Sequence, residues 1–172
     1  MTASTVDLID HLAGDEGGGA VSRLRALRPQ AREHAQRSYE ALLEPADPGS
    51  VPLRERYAVA ARVARLHGPG TAADLYGQNL RDEDEELADL IDAGVATGEV
   101  HLDVGLAHAE LLVLHPRDAA PSHLRALEAA GWDADGIVTL SQLVSFLTFQ
   151  LRAAHALRVL ALNPAPSTEE TR

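Results

Sequence analysis

The side chains best suited to acid–base or metal chemistry in this sequence are its eight histidines. His101, His108 and His115 recur every seven residues, which leaves them roughly on one side of a continuous helix. Seven residues rise about 10 Å along a helix axis, too far apart for ligands of one ion. His115 also precedes Pro116, where a helix is expected to end. These three read as surface or interface groups, and no metal or other cofactor is expected. His34 and His155 read as core-edge groups bonded to a carbonyl. His67 stands just before Gly68-Pro69-Gly70, at the end of a helical pattern where the dipole favours a cation. It is equally a residue type able to serve as a general base near neutral pH.

Other chemistries are excluded by composition. The chain has no cysteine, so disulfides, thiolate zinc sites, iron–sulfur clusters and cysteine-based catalysis are all ruled out. No Gly-x-Ser-x-Gly elbow is present, and Gly17-Gly18-Gly19 lacks the Gly-Lys-Ser/Thr ending of a phosphate loop. The net charge of −11 argues against a nucleic-acid partner, which would need clustered cations. No apolar run approaches the ~20 residues that span a bilayer, and no secretory signal is visible at the N-terminus, so no membrane is expected and the expected compartment is the cytoplasm. The acidic run Asp82 to Glu86 reads as a helix start stabilised by the dipole rather than as a metal site.

The elements that would position these groups are helices. Ala and Leu are abundant, aromatics make up only 3%, and β-branched alternation is nearly absent, so the fold class is all-α. Helical patterns are expected over 5–12 with Thr5 as cap, 21–27, 29–43, 53–66, 71–80 with Thr71 as cap, 82–96, 103–114, 122–130 and 133–162. In the last, Ile137, Leu140, Val144, Leu147, Leu151 and Ala154 mark the buried face, extended by Phe146 and Phe149. Trp132 reads as a packing residue at the corner before that helix. Residues 1–19 form a helical arm and glycine-rich linker, 20–162 the domain, and 163–172 an expected disordered tail.

Two stretches carry a family resemblance. Val51-Pro52-Leu53-Arg54-Glu55-Arg56-Tyr57 through His67-Gly68, and Gly136-Ile137-Val138 through Phe146-Leu147-Thr148-Phe149-Gln150-Leu151-Arg152, occur in order with His115-Pro116-Arg117-Asp118 through Gly131 between them. Together they resemble the carboxymuconolactone decarboxylase family, and within it the alkylhydroperoxidase D-like (AhpD-like), peroxidase-related branch, over about Tyr39 to Leu160. The resemblance implies an AhpD-like helical bundle, with the N-terminal helix as an added arm. In the family's peroxidases a Cys-x-x-Cys at a helix start attacks the peroxide, and a Glu and a His relay protons. Alignment through Glu55-Arg56 and His67-Gly68 puts Pro69 and Ala72 at the cysteine positions, Tyr57 at the carboxylate and Tyr76 at the histidine. A two-residue shift makes Glu55 the carboxylate instead.

Because no thiol exists in any register, the family's peroxidase mechanism cannot operate. The expected role is a pseudoenzyme, binding or partner module. The alternative is a thiol-free lyase or decarboxylase-like enzyme acting on a small organic acid through His67 with Glu55 or Tyr57 and Tyr76. Arg152 matches an arginine of the family's last helix, for which a salt bridge or a carboxylate-binding role is expected. The resemblance further implies a homo-oligomer, dimer or trimer, or a partnership with a related cysteine-bearing hydroperoxidase-like protein.

Overall fold

The computed structural model of the chain describes residues 7–15 and 18–163. Among these, nine α-helices account for the architecture and no strand occurs: α1 (Leu8–Leu12), α2 (Ala20–Ala26), α3 (Pro29–Leu43), α4 (Leu53–Leu66), α5 (Thr71–Glu83), α6 (Glu85–Ala93), α7 (Val100–Leu114), α8 (Pro121–Ala129) and α9 (Ala134–Leu162). A short 3-10 turn, Pro116–Asp118, joins α7 to α8.

Helix α4 is the axis of the bundle. Ala58, Val59, Ala60, Ala61 and Val63 are fully buried, so the helix is covered on nearly every side. Its alanines let neighbours approach closely, and α3, α5, α6, α7 and α9 all pack against it. Helix α9 supplies a second long face through Leu140, Leu143, Val144, Leu147, Leu151 and Ala154. By length and hydropathy alone α9 could cross a membrane, but it serves here as a core helix against α1, α2, α3, α4, α7 and α8. Ile137 and Phe146 are half-buried on its buried side. Phe149 departs from the expected pattern and is 59% exposed, because its position rotates past the stripe onto the outer surface.

Helix boundaries follow their caps. The acidic run does not open a single helix. Asp84 adopts an extended backbone and accepts from the Leu87 N–H at 2.9 Å, ending α5 and capping α6. Gly94, in the left-handed region, stops α6 before residue 96. Helix α7 begins three residues before Asp103, whose carboxylate is engaged by the N–H groups of Thr97 and Gly98. Asp133 caps α9 through the Gly136 N–H, and Ser50 donates to the same oxygen at 2.9 Å.

The N-terminal arm is docked. Asp7, not Thr5, caps α1 through the N–H groups of Ile9 and Asp10; Thr5 and the tail from 164 onward lie outside the described residues. Ile9, Leu12 and Ala13 are buried, with α1 lying on α9. Arg25 and Arg32 pair with both Asp7 and Asp10. Beyond Gly14, the Asp15 carboxylate accepts from the N–H groups of Gly19 and Ser22 and so fastens the start of α2.

Candidate functional site

The turn between α4 and α5 is made almost entirely of backbone. His67 caps α4, and Gly68 and Gly70 follow with φ of +108° and +143° on either side of Pro69. A Cβ at either glycine would meet nothing within 4 Å, so conformation rather than space requires glycine there. Gly70 caps α5 without a side chain, and the first helical hydrogen bond at that end is from Asp74 N–H to the Gly70 carbonyl. The first-turn N–H groups of α5 therefore have no side-chain cap. Thr71 is the first residue of α5 rather than its cap.

This turn forms one wall of an open cleft of about 330 Å³, and α9 forms the opposite wall with Arg152, His155 and Arg158. Leu12 of the arm, Ala64 and Leu151 supply apolar lining. Among the described residues no Asp or Glu lines it. Burial, and then the Arg152 charge nearby, push the His67 imidazole below its ordinary value, so His67 is neutral at pH 7. The Arg158 guanidinium lies 3.3 Å from His155 Nδ1. A guanidinium only donates, so that nitrogen is the acceptor.

The four site residues expected from the sequence fall into three places. His67 lines the cleft. Glu55 lies twelve residues earlier on α4, about 18 Å along the axis, and faces away toward α7. There its carboxylate is 3.5 Å from His101 Nε2, while His101 Nδ1 donates to the Ala130 carbonyl at 3.1 Å. Burial raises the Glu55 pKa despite the opposing influence of His101. Tyr57 and Tyr76 belong to a third group, in the interior with Tyr39 and Glu44 as electrostatic neighbours. Tyr76 is fully buried and its hydroxyl donates to Gln150 Oε1 at 2.6 Å, tying α5 to α9. Burial above all raises the pKa of both phenols, so they stay protonated at neutral pH. Pro69 and Ala72, where the resemblance puts cysteines, both line the cleft.

The other histidines are also dispersed. His101 stacks on Trp132 with centroids 4.4 Å apart and 5° between planes, and the indole N–H donates to its carbonyl at 2.9 Å. His108 is buried, with its pKa lowered by burial and then by His123, and His115 caps the exposed end of α7. His34 and His155 are exposed rather than core-edge, since they occupy outward faces of α3 and α9. Among the described residues no group of three His, Asp or Glu is placed to hold a metal ion.

Two features, one at the cleft and one at the other end of α4, were not apparent in the sequence. The spacing Arg152, His155, Arg158 holds three cationic or titratable groups on one side of α9, a signal hidden within the apolar periodicity of that helix. Arg56 is 5% exposed and donates to the carbonyls of Val51, Leu42 and Pro48 at 2.7–2.8 Å, latching the proline-rich loop onto α4.

The arrangement of α-helices about a buried central helix is AhpD-like by its similarity to solved structures. Two solved structures share it. An uncharacterized peroxidase-related protein from Silicibacter sp. TM1040 superposes with a TM-score of 0.70 at 16% identity, over 88% of this chain and 79% of that one. The alkylhydroperoxidase AhpD core of an uncharacterized peroxidase-related protein from Ralstonia eutropha JMP134 superposes with a TM-score of 0.69, also at 16% identity, over 88% and 80%. No family model matches the sequence, and no curated protein matches it.

Proposed function

We propose that this chain is a cysteine-less, carboxymuconolactone-decarboxylase-like and AhpD-like protein that works as a pseudoenzyme or binding module rather than as a thiol peroxidase. The observation that carries this reading is the chemistry of the α4–α5 turn. It borders a cleft but offers glycine, proline, alanine and a neutral histidine where the family resemblance puts the thiols. No residue elsewhere supplies sulfur chemistry, since the one methionine is a thioether that cannot form a thiolate. Binding is favoured over lyase chemistry because His67 stands apart from Glu55 along α4, and the phenols of Tyr57 and Tyr76 are held protonated in the interior.

The expected assembly is a homo-oligomer in the cytoplasm. Support comes from the outer face of α9, where Phe149, Ala153, Ala156 and Leu160 recur at 4-3-4 spacing along an apolar groove with Leu24 and Leu157. Sedimentation velocity should give a species larger than 18.3 kDa, and a Phe149→Glu variant should shift it toward the monomer. A cysteine-bearing relative is the other partner this surface would suit.

The decisive experiment incubates the purified protein with cumene hydroperoxide and dithiothreitol. Consumption of hydroperoxide should equal the protein-free blank. Turnover proportional to protein concentration would end the pseudoenzyme reading.

A further inference from the structure

Glu55, at the end of α4 away from the cleft, meets a histidine in a way that sets two acceptors against each other. Its Oε2 is buried without a hydrogen-bond partner among the described residues, and His101 Nε2 stands 3.5 Å from it. The ring is fixed from its other side. His101 Nδ1 lies 3.1 Å from the Ala130 carbonyl, which can only accept, so Nδ1 carries a hydrogen. A neutral ring with its hydrogen on Nδ1 turns a bare lone pair toward Glu55, and an ionised carboxylate turns another one back. Two buried acceptors facing each other without a donor are unfavourable. A single proton, on Nε2 or on Oε2, removes the conflict. The charged groups nearby supply no substitute. Arg54 is bound to Asp84 and Glu99, Asp103 to the N–H groups of Thr97 and Gly98, and Asp133 to Ser50 and the Gly136 N–H. Glu128 of α8 and Asp135 of α9 are exposed.

We propose that Glu55 and His101 share one proton at neutral pH, and that this proton latches α4 to the corner where α7, α8 and α9 meet. His101 is the common member. Its ring stacks on Trp132 and its carbonyl accepts from the indole, while Nδ1 reaches the end of α8 and Nε2 faces α4. Trp132 has little room to adjust, because α7 and α9 approach it through glycines: a Cβ at Gly105 would lie 2.5 Å from its ring and one at Gly136 3.3 Å. Loss of the proton is therefore relieved on the α4 side, by separation of Glu55 from His101. Burial above all raises the Glu55 pKa against the influence of His101 and Arg54, which favours the protonated pair. Unfolding weakens the hold on that proton, so the latch stabilises the fold while the proton is bound and fades as pH rises through its release. The pair stands about 18 Å along α4 from the cleft, and its behaviour does not depend on what the cleft binds.

The test follows the imidazole nitrogens of His101 and the indole N–H of Trp132 by NMR in the full chain, from about pH 5 to about pH 9, a range that brackets the ordinary histidine value. One step is expected, in which Nε2 changes from protonated to bare while Nδ1 keeps its hydrogen, and the Trp132 signal moves with it. Glu55→Gln keeps the size of the side chain, and its amide can donate to the bare Nε2. The midpoint of the step should therefore fall by about one pH unit or more, roughly a tenfold loss of proton affinity. His115→Gln, at the exposed end of α7, should leave the midpoint where it is. A hydrogen on Nε2 instead of Nδ1 above the step, a Trp132 signal that does not follow the step, or a midpoint unmoved in Glu55→Gln would overturn the proposal. The unaltered chain decides the first two of these outcomes even where the variant fails to fold. Hydroperoxide turnover, which would end the pseudoenzyme reading, leaves this result untouched.

Discussion

The two ends of α4 are bordered in different ways. At the N-terminal end, Arg54 reaches Asp84 at 2.7 Å and Glu99 at 2.5 Å, and Arg56 is surrounded by three carbonyls. Loop, helix start and neighbouring helices are stitched together there. At the C-terminal end Arg62 and Arg65 pair with Glu110 and Asp92, but the turn itself contributes little besides backbone, and across the cleft Arg152 and Arg158 of α9 have no acidic partner among the described residues. The first end ties loop and helices together, and the second borders an open cleft with exposed arginines.

That contrast can be broken by mutation. Arg56→Ala should cost about 3 kcal/mol in urea unfolding, because it leaves the carbonyls of Leu42, Pro48 and Val51 without their donor. Arg152→Gln should cost less than about 0.5 kcal/mol, as an exposed substitution without a lost partner does. Comparable losses for the two variants would abolish the distinction. Gly105→Ala probes the structural side further: its Cβ would sit 2.5 Å from Trp132 Cζ2, a ring locked between His101 and its own N–H bond. The expected cost of such overpacking is about 1–3 kcal/mol, read as a fall in melting temperature.

The arm gives a smaller effect with a definite pH sign. Burial of Asp7 pushes its carboxyl up, but the Arg25 hydrogen bond and charge, the Asp10 N–H and Arg32 outweigh it, and its pKa lies below the ordinary value. Its stabilisation is complete above the ordinary carboxylate range, near pH 4, and is lost as pH falls through the lowered folded value. Hydrogen exchange at α1 should accelerate over that acidic window, and Asp7→Ala, which also removes the cap, should weaken docking by about 1 kcal/mol already at pH 7. The smallest effect concerns the cleft. Arg152→Gln should raise the His67 pKa in an NMR titration, since one of the two influences lowering it is removed.

Much of the bundle was legible because helix propensity and apolar spacing agree. The bounds of α3, α4 and α9 follow Pro29, the Leu53–Leu66 pattern and the Asp133 cap almost residue for residue. The acidic segment was misread as one start because charge alone does not say which aspartate will turn extended and cap. Phe149 was assigned to the core because a phenylalanine one position off the stripe looks continuous with it. The site was only partly legible. The turn and His67 show in sequence, but which of Glu55, Tyr57 and Tyr76 accompany them depends on rotation about α4 and on how α5 crosses it. The arginines of α9 join the turn through a contact spanning more than eighty residues.

Trp132 is the single tryptophan of the chain and is 4% exposed, pressed flat on His101 at the meeting of α7, α8 and α9. Its fluorescence is thus a built-in gauge of that one junction, remote from both the arm and the cleft. A denaturation curve followed at this wavelength, laid over one followed by helical circular dichroism, would reveal directly whether the bundle comes apart as one unit or in stages.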